Sequence, residues 1–159
     1  MEYTFRLAQL TTKFYADYPH DIYPEILNKE KRAYNCFIFK LWGDRFICVP
    51  YRTEINHKYA YLFKQSARSK LHNSGLDFSK SVIITDENYI CTQSAVVDTD
   101  EFHETIANID IIANKVLQFV TDYIDYIKFQ NNMSKQEFNR RYRYSPLKYF
   151  HKELNINND

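Results

Sequence analysis

Glycine is nearly missing from this chain, with Gly43 and Gly75 the only two in 159 residues, against a usual share of about 7%. Neither G-x-x-x-x-G-K-S/T nor G-x-G-x-x-G can be built from them, so the glycine-loop nucleotide enzymes are excluded. Cysteine is also sparse. Cys36, Cys48 and Cys91 are scattered and odd in number, and no Cys-x-x-Cys or His-x-x-x-His pair offers a metal spacing. No basic-then-apolar leader precedes Tyr3, and no run approaches the ~18 apolar residues of a membrane helix. These absences lead to the expectation of a cytoplasmic protein with reduced thiols, no metal and no membrane contact.

Aromatic side chains are abundant, at 17%, with 14 Tyr and 12 Phe. A length of 159 residues suits one domain that buries roughly 70% of its extended-chain surface. The formal net charge of +1 conceals segregation: residues 1–51 carry +1, 52–80 carry +4, 81–127 carry −8 and 128–153 carry +5. Two basic blocks around an acidic one are consistent with a polarised surface that meets a polyanion, or with solvated faces that neutralise one another.

Alternation at Tyr3–Leu7 predicts a strand, and Thr11 or Thr12 can cap a short helix ended by Pro19. Tyr23–Lys31 fits a short helix or an extended loop. Ala33–Trp42 and Arg45–Tyr51, joined by Gly43-Asp44, predict a β-hairpin. Arg52–Lys80 reads as a long functional loop, and Ser81–Thr85 with Tyr89–Thr92 as a second hairpin or a strand and turn. After Asp98 the period changes to 3.6, with an apolar stripe from Ile106 to Ile127 on one helix, or on two broken near Asn108. Asp98, Asp100, Glu101 and Glu104 there fit compensation of a helix dipole. Ser134 and Glu137 have capping-box spacing for a helix to Tyr144, and Pro146 suits the start of a last helix ending near Leu154. Strands first and helices after predict an α+β fold with an antiparallel sheet.

The basic blocks interleave cations with aromatics. Lys31, Arg52, Lys64, Arg68, Lys70 and His72, then Arg140, Arg141, Arg143, Lys148, His151 and Lys152, form a candidate RNA-binding set. Cations neutralise phosphates and aromatic faces stack on unpaired bases, a mixture that favours single-stranded or looped RNA. No G-x-S-x-G elbow and no acidic cluster on strand ends is present, which argues against serine or metal-assisted hydrolysis. Attack by the RNA 2′-hydroxyl on its own phosphate needs only a base, an acid and cations. Arg52, Thr53, His57 and Lys58 follow the second hairpin strand, and Lys31 and Arg32 precede the first, so the antiparallel pairing places both groups at one edge of the sheet.

Lys31-Arg32-Ala33-Tyr34, the hairpin, Val49-Pro50-Tyr51-Arg52-Thr53 and His57-Lys58-Tyr59-Ala60-Tyr61 resemble the endoribonuclease toxins of type III toxin-antitoxin systems, in the TenpN branch, with ToxN and AbiQ more distant. The likeness continues through Ser74-Gly75-Leu76-Asp77-Phe78, Arg140-Arg141-Tyr142-Arg143-Tyr144 and Tyr149–Leu154. It implies a compact twisted sheet like the core of Kid and MazF, and sequence-selective RNA cleavage to a 2′,3′-cyclic phosphate without a cofactor. It further implies mRNA substrates, a repeated pseudoknot RNA antitoxin, a toxin–RNA hetero-oligomer closed by the RNA, and a part in growth arrest and phage defence. Arg32 matches the cation before the first hairpin strand of such toxins, and Thr53 the serine of their Thr/Ser pair. Arg52 stands where the threonine is expected, and neither Glu54 nor Ile55 supplies the lysine that follows it. The resemblance therefore leaves that cationic duty to His57 or Lys58, with His57 as the proton-transfer group and Thr53 orienting the phosphate or 2′-hydroxyl. A non-catalytic protein binding single-stranded RNA, and a protein-interaction module using the acidic 81–127 segment, are the alternatives.

Overall fold

A computed structural model describes residues 5–28, 34–91, 93, 95–129 and 132–156. The alternating N-terminal residues form β1 (Phe5–Leu10), after which the Thr11 side chain accepts the Phe14 N–H and caps α1 (Thr12–Asp17). Turns occupy most of 20–26, without a helix. The central hairpin is as the sequence predicts: β2 (Asn35–Lys40) pairs antiparallel with β3 (Phe46–Arg52), Cys36 lying opposite Pro50. Gly43 takes a φ of +55° in the turn, which Arg45 N–H closes on Trp42 O at 3.0 Å.

The predicted long loop at 52–80 is instead an ordered insert. It contains β4 (Ala60–Leu62), α2 (Ala67–His72), β5 (Gly75–Asp77) and a 3₁₀ turn (Phe78–Lys80). Elements of three to six residues are too short for a hydrophobic period to register in the sequence. Of the two alternatives expected at 81–92, the strand and turn is found rather than the hairpin. β6 (Val82–Ile84) pairs with the first half of β3, and a 3₁₀ turn (Glu87–Tyr89) carries the chain to β7 (Ile90–Cys91), which pairs with β1.

Two helices follow Asp98, as one of the alternatives expected: α3 (Thr99–Ala107) and α4 (Ile109–Phe129), parted at Asn108. Asp98 caps α3 and Ser134 caps α5 (Lys135–Tyr142). The predicted last helix shortens to a 3₁₀ turn (Pro146–Tyr149), because the chain then turns inward to bury Phe150, Leu154 and Ile156.

The result is a mixed α+β domain with an antiparallel sheet ordered β4-β5-β3-β2-β1-β7, and β6 beside β3. β3 is the hub, with β2 along one side, and β6 then β5 along the other. Consecutive residues Cys36–Phe39 and Ile47–Tyr51 are all buried, so elements cover both faces of the sheet here. Burial pushes the Cys36 thiol up to about 12, as expected for an inert packing residue. Among the described residues no helix is long and apolar enough to cross a membrane.

Most aromatics pack on one another rather than facing solvent. One cluster joins Phe14 to Tyr18 (4.8 Å between centroids), Tyr18 to Phe150 (5.4 Å) and Tyr23 to Tyr149 (4.9 Å). A second joins Phe119 to Tyr142 (4.7 Å) and Tyr126 to Phe138 (4.0 Å). Such pairs add about 0.5–1.5 kcal/mol each beyond area burial. The aromatic excess therefore serves the core first.

Candidate functional site

The end of β3 and the end of β5 lie side by side, Arg52 opposite Gly75 and Tyr51 opposite Leu76. This approach depends on glycine: a Cβ at Gly75 would lie 2.2 Å from the Tyr61 carbonyl oxygen of β4. Asp77, completely buried at the end of β5, gathers the surrounding groups. Its carboxylate accepts Arg52 Nη1 at 2.6 Å, Ser79 Oγ at 2.6 Å and Ser79 N–H at 3.0 Å, and His57 Nε2 stands 3.2 Å from its Oδ1. A buried carboxylate without such donors would be strongly unfavourable. Here both oxygens are satisfied, and Arg52 and His57 are held in fixed positions.

His57 is bound through both ring nitrogens. Nδ1 accepts the Tyr59 N–H at 3.1 Å, which assigns the proton to Nε2, facing Asp77 Oδ1 and Ser79 Oγ. The one free lone pair is thus occupied by a backbone amide. Proton transfer through Nδ1 would require that bond to break, so the geometry favours His57 as a brace for Asp77 over the proton-transfer role expected from the sequence.

Thr53 lies in the bend just after β3, partly exposed, and its hydroxyl makes no hydrogen bond among the described residues. Lys58 is exposed, its Nζ 5.7 Å from the Tyr59 ring centre. Lys31 and Arg32 lie outside the described residues. Thr53, His57, Arg52 and Lys58 lie at the β3–β5 end, and the expected meeting with Lys31 and Arg32 falls outside the described residues.

Sequence reasoning missed Lys80, at the end of the 3₁₀ turn. Its Nζ donates to Tyr144 O at 2.8 Å and to Glu25 O at 3.2 Å. Desolvation lowers its pKa, and Arg52 pushes in the same direction. The spacing Asp77-x-Ser79-Lys80 was legible, but only the β3–β5 pairing sets it against Arg52.

The second basic block meets the first here. Arg141 Cζ lies 5.8 Å from the Tyr59 ring centre, and the Lys80 bond to Tyr144 O ties the turn after α5 to the turn after β5. Arg143 sits over the exposed Tyr144 ring at 4.9 Å. Tyr144 stands well out, at 60% exposure, as does Phe129 at the start of the second block, whereas Phe63, Tyr142 and Phe150 are buried.

The other candidate cations divide into paired and unpaired groups. Arg68 binds Glu101 at 2.9 Å, His72 binds Glu54 at 2.6 Å, Arg140 binds Glu137 at 2.7 Å and Lys148 binds Glu25 at 2.8 Å. Arg141 is shared between Asp122 and Glu137, both at 3.1 Å. His151 Nε2 is 2.6 Å from the Tyr123 hydroxyl. Lys64, Lys70, Arg143 and Lys152 are exposed and form no ion pair among the described residues.

Two acidic residues differ from expectation. Glu101 and Glu104 are buried in α3, so dipole compensation is not their main duty. Glu101 accepts Ser74 Oγ at 2.5 Å, Ser66 Oγ at 2.9 Å and Arg68 Nη2 at 2.9 Å. Glu104 accepts the N–H groups of Lys64 and Gln65, both at 3.0 Å, and the Tyr61 hydroxyl at 3.1 Å. The acidic block thereby anchors the 61–74 part of the basic block. Asp98 and Asp100 remain exposed in the first turn of α3 or at its cap, where the dipole reading holds.

Compared with known proteins, the chain has no significant match to a family model, a curated protein or a solved structure.

Proposed function

We propose that this protein is a metal-independent, sequence-selective endoribonuclease acting through the RNA 2′-hydroxyl, a toxin of the type III kind in the cytoplasm, neutralised by a repeated pseudoknot RNA. One observation carries the reading. Two basic blocks separated in sequence by the acidic 81–127 segment converge on the β3–β5 end, where Arg52, Lys58 and Lys80 from one meet Arg141, Arg143 and Tyr144 from the other. Separate solvated faces would not require that convergence.

The chemistry follows from the side chains present. Cations held in place in a partly desolvated cleft stabilise a pentacovalent phosphorane, because they need little reorganisation as charge develops. Arg52 is fixed by Asp77, and the Thr53 hydroxyl, which makes no bond among the described residues, can orient a phosphate oxygen or the 2′-hydroxyl. The likeness noted in the sequence supplies the toxin reading; the arrangement of cations supports an RNA ligand.

The test is incubation of the purified protein with end-labelled single-stranded RNA in EDTA. Cleavage to a 2′,3′-cyclic phosphate, reduced about 100-fold by Thr53→Ala, is expected. Binding without cleavage, or a requirement for Mg²⁺, would replace this reading with that of a non-catalytic RNA-binding protein.

A further inference from the structure

An ammonium group carries three N–H donors and no acceptor. Lys80 spends two of them on the carbonyl oxygens of Tyr144 and Glu25. Both acceptors are formally neutral, so the ammonium is fixed without being paired to a counter-ion. Its third donor has no partner among the described residues. The side chain lines a small cavity with Tyr15, Ile26, Tyr34, Pro50 and Val82, whose largely apolar walls withhold water. Four charged groups act on it: Arg52 and Lys148 disfavour its charge, while Asp77 and Glu25 favour it. Asp77 and Glu25 are already committed to Arg52 and to Lys148 respectively. What remains is a positive centre beside Arg52, held by the backbone of two distant turns. Lys58, by contrast, is exposed and would have to be ordered on binding.

Resting on the ribonuclease reading above, we propose that Lys80 is a catalytic residue whose third N–H binds a non-bridging oxygen of the scissile phosphate beside Arg52. In the step it serves, a bond forms between the 2′-oxygen and phosphorus as the bond from phosphorus to the 5′-oxygen breaks. The 2′-hydroxyl proton leaves to water and the 5′-oxygen takes one from water, giving a cyclic phosphate and a 5′-hydroxyl with no net proton change. Lys80 keeps its proton throughout and contributes charge at a fixed point. It also supplies a cation on the β5 side of the site, where the residues directly after Thr53 offer none.

Wild type, Lys80→Gln, Lys80→Arg and Lys80→Ala are compared on labelled single-stranded RNA in EDTA, with melting temperature and RNA affinity measured alongside. Glutamine keeps an N–H donor for the carbonyls but has no charge. The expected result is a loss of about 100-fold or more in kcat for Lys80→Gln, with RNA affinity within about threefold. Lys80→Arg should retain at least about a tenth of wild-type kcat. Added ethylammonium should restore part of the cleavage by Lys80→Ala, a response that a merely structural lysine would not give. Cleavage by Lys80→Gln within about threefold of an active wild type overturns the Lys80 assignment alone. So does a Lys80→Arg variant as slow as Lys80→Gln together with no amine rescue. An inactive wild type overturns the ribonuclease reading itself, and this proposal with it.

Discussion

Arg52 Nη1 lies 2.6 Å from Asp77 Oδ2, across the short β3–β5 pairing, with the carboxylate completely buried and the guanidinium partly open to solvent. The pair joins a strand end to the turn that carries Ser79 and Lys80, so it both stabilises the fold and sets the spacing of the candidate site. Replacing Asp77 by Ala leaves Arg52, the Ser79 N–H and the Ser79 hydroxyl without their acceptor and removes the carboxylate beside His57. The expected cost is about 3 kcal/mol, at the lower end for breaking a buried pair because Arg52 can regain some water. Urea denaturation measures it, and an unchanged midpoint would show that the pair is not a structural hinge.

Glu101 should control the order of the 61–74 segment. Glu101→Ala removes the acceptor for Ser66, Ser74 and Arg68 at once, and is expected to cost about 3 kcal/mol. Limited trypsin digestion should then cut first at Lys64, Arg68 or Lys70. Equal digestion rates for variant and wild type would sink the idea of an anchored loop.

Gly75→Ala places a methyl group against the Tyr61 carbonyl, a contact that only backbone movement can relieve. A destabilisation of about 1–3 kcal/mol is expected, with local loosening of β4. Amide exchange checks this: the Phe63 amide, bonded to Ser74 O, should lose protection while those of β2 keep it.

Tyr144 is the candidate stacking platform, exposed and flanked by Arg143. Tyr144→Ala should weaken single-stranded RNA binding by about 5- to 150-fold, corresponding to 1–3 kcal/mol for a stacked base. Tyr142→Ala, in the core, should instead lower the melting temperature. Filter binding and thermal melts on both variants separate the two roles.

Glu25 gives a pH signature. Burial raises its pKa, but bonds from Lys148 and the Tyr149 hydroxyl outweigh this and hold the carboxyl below its ordinary value of 4.5. A depressed folded-state pKa means that the stabilisation is present above the unfolded value and is lost as pH falls through the folded one. Stability should therefore drop below about pH 4.5, and part of that drop should vanish in Glu25→Gln. Parallel acid titrations of wild type and variant, followed by circular dichroism, test it.

The central hairpin, α1 with its Thr11 cap, the Asp98 and Ser134 caps and the long amphipathic stretch were all legible in the sequence. Each depends on neighbours within a few residues, where turn chemistry, capping and hydrophobic period act directly. The insert at 60–77 was not legible, since its strands are three residues long and its main anchors, Glu101 and Glu104, come from a helix some 30 or more residues later. The partner of β6 was not legible for a similar reason. Its apolar run is a strand as expected, but its partner is β3 across the sheet rather than the nearby β7.

At the site, local sequence placed Arg52, Thr53, His57 and Lys58 after the hairpin, because connectivity alone fixes that. It could not show that the His57 ring is filled on both sides, or that Lys80 stands beside Arg52. Glycine scarcity, determined by the sequence alone, excluded nucleotide-loop enzymes, and the segregated charge pointed to a polyanion. Tertiary structure decided which cations are paired within the protein and which face outward, and it assigned most of the aromatic excess to the core. The physical reason is range: propensity and capping act along the chain, whereas ion pairs, burial and the meeting of the two basic blocks depend on contacts that exist only once the sheet is assembled.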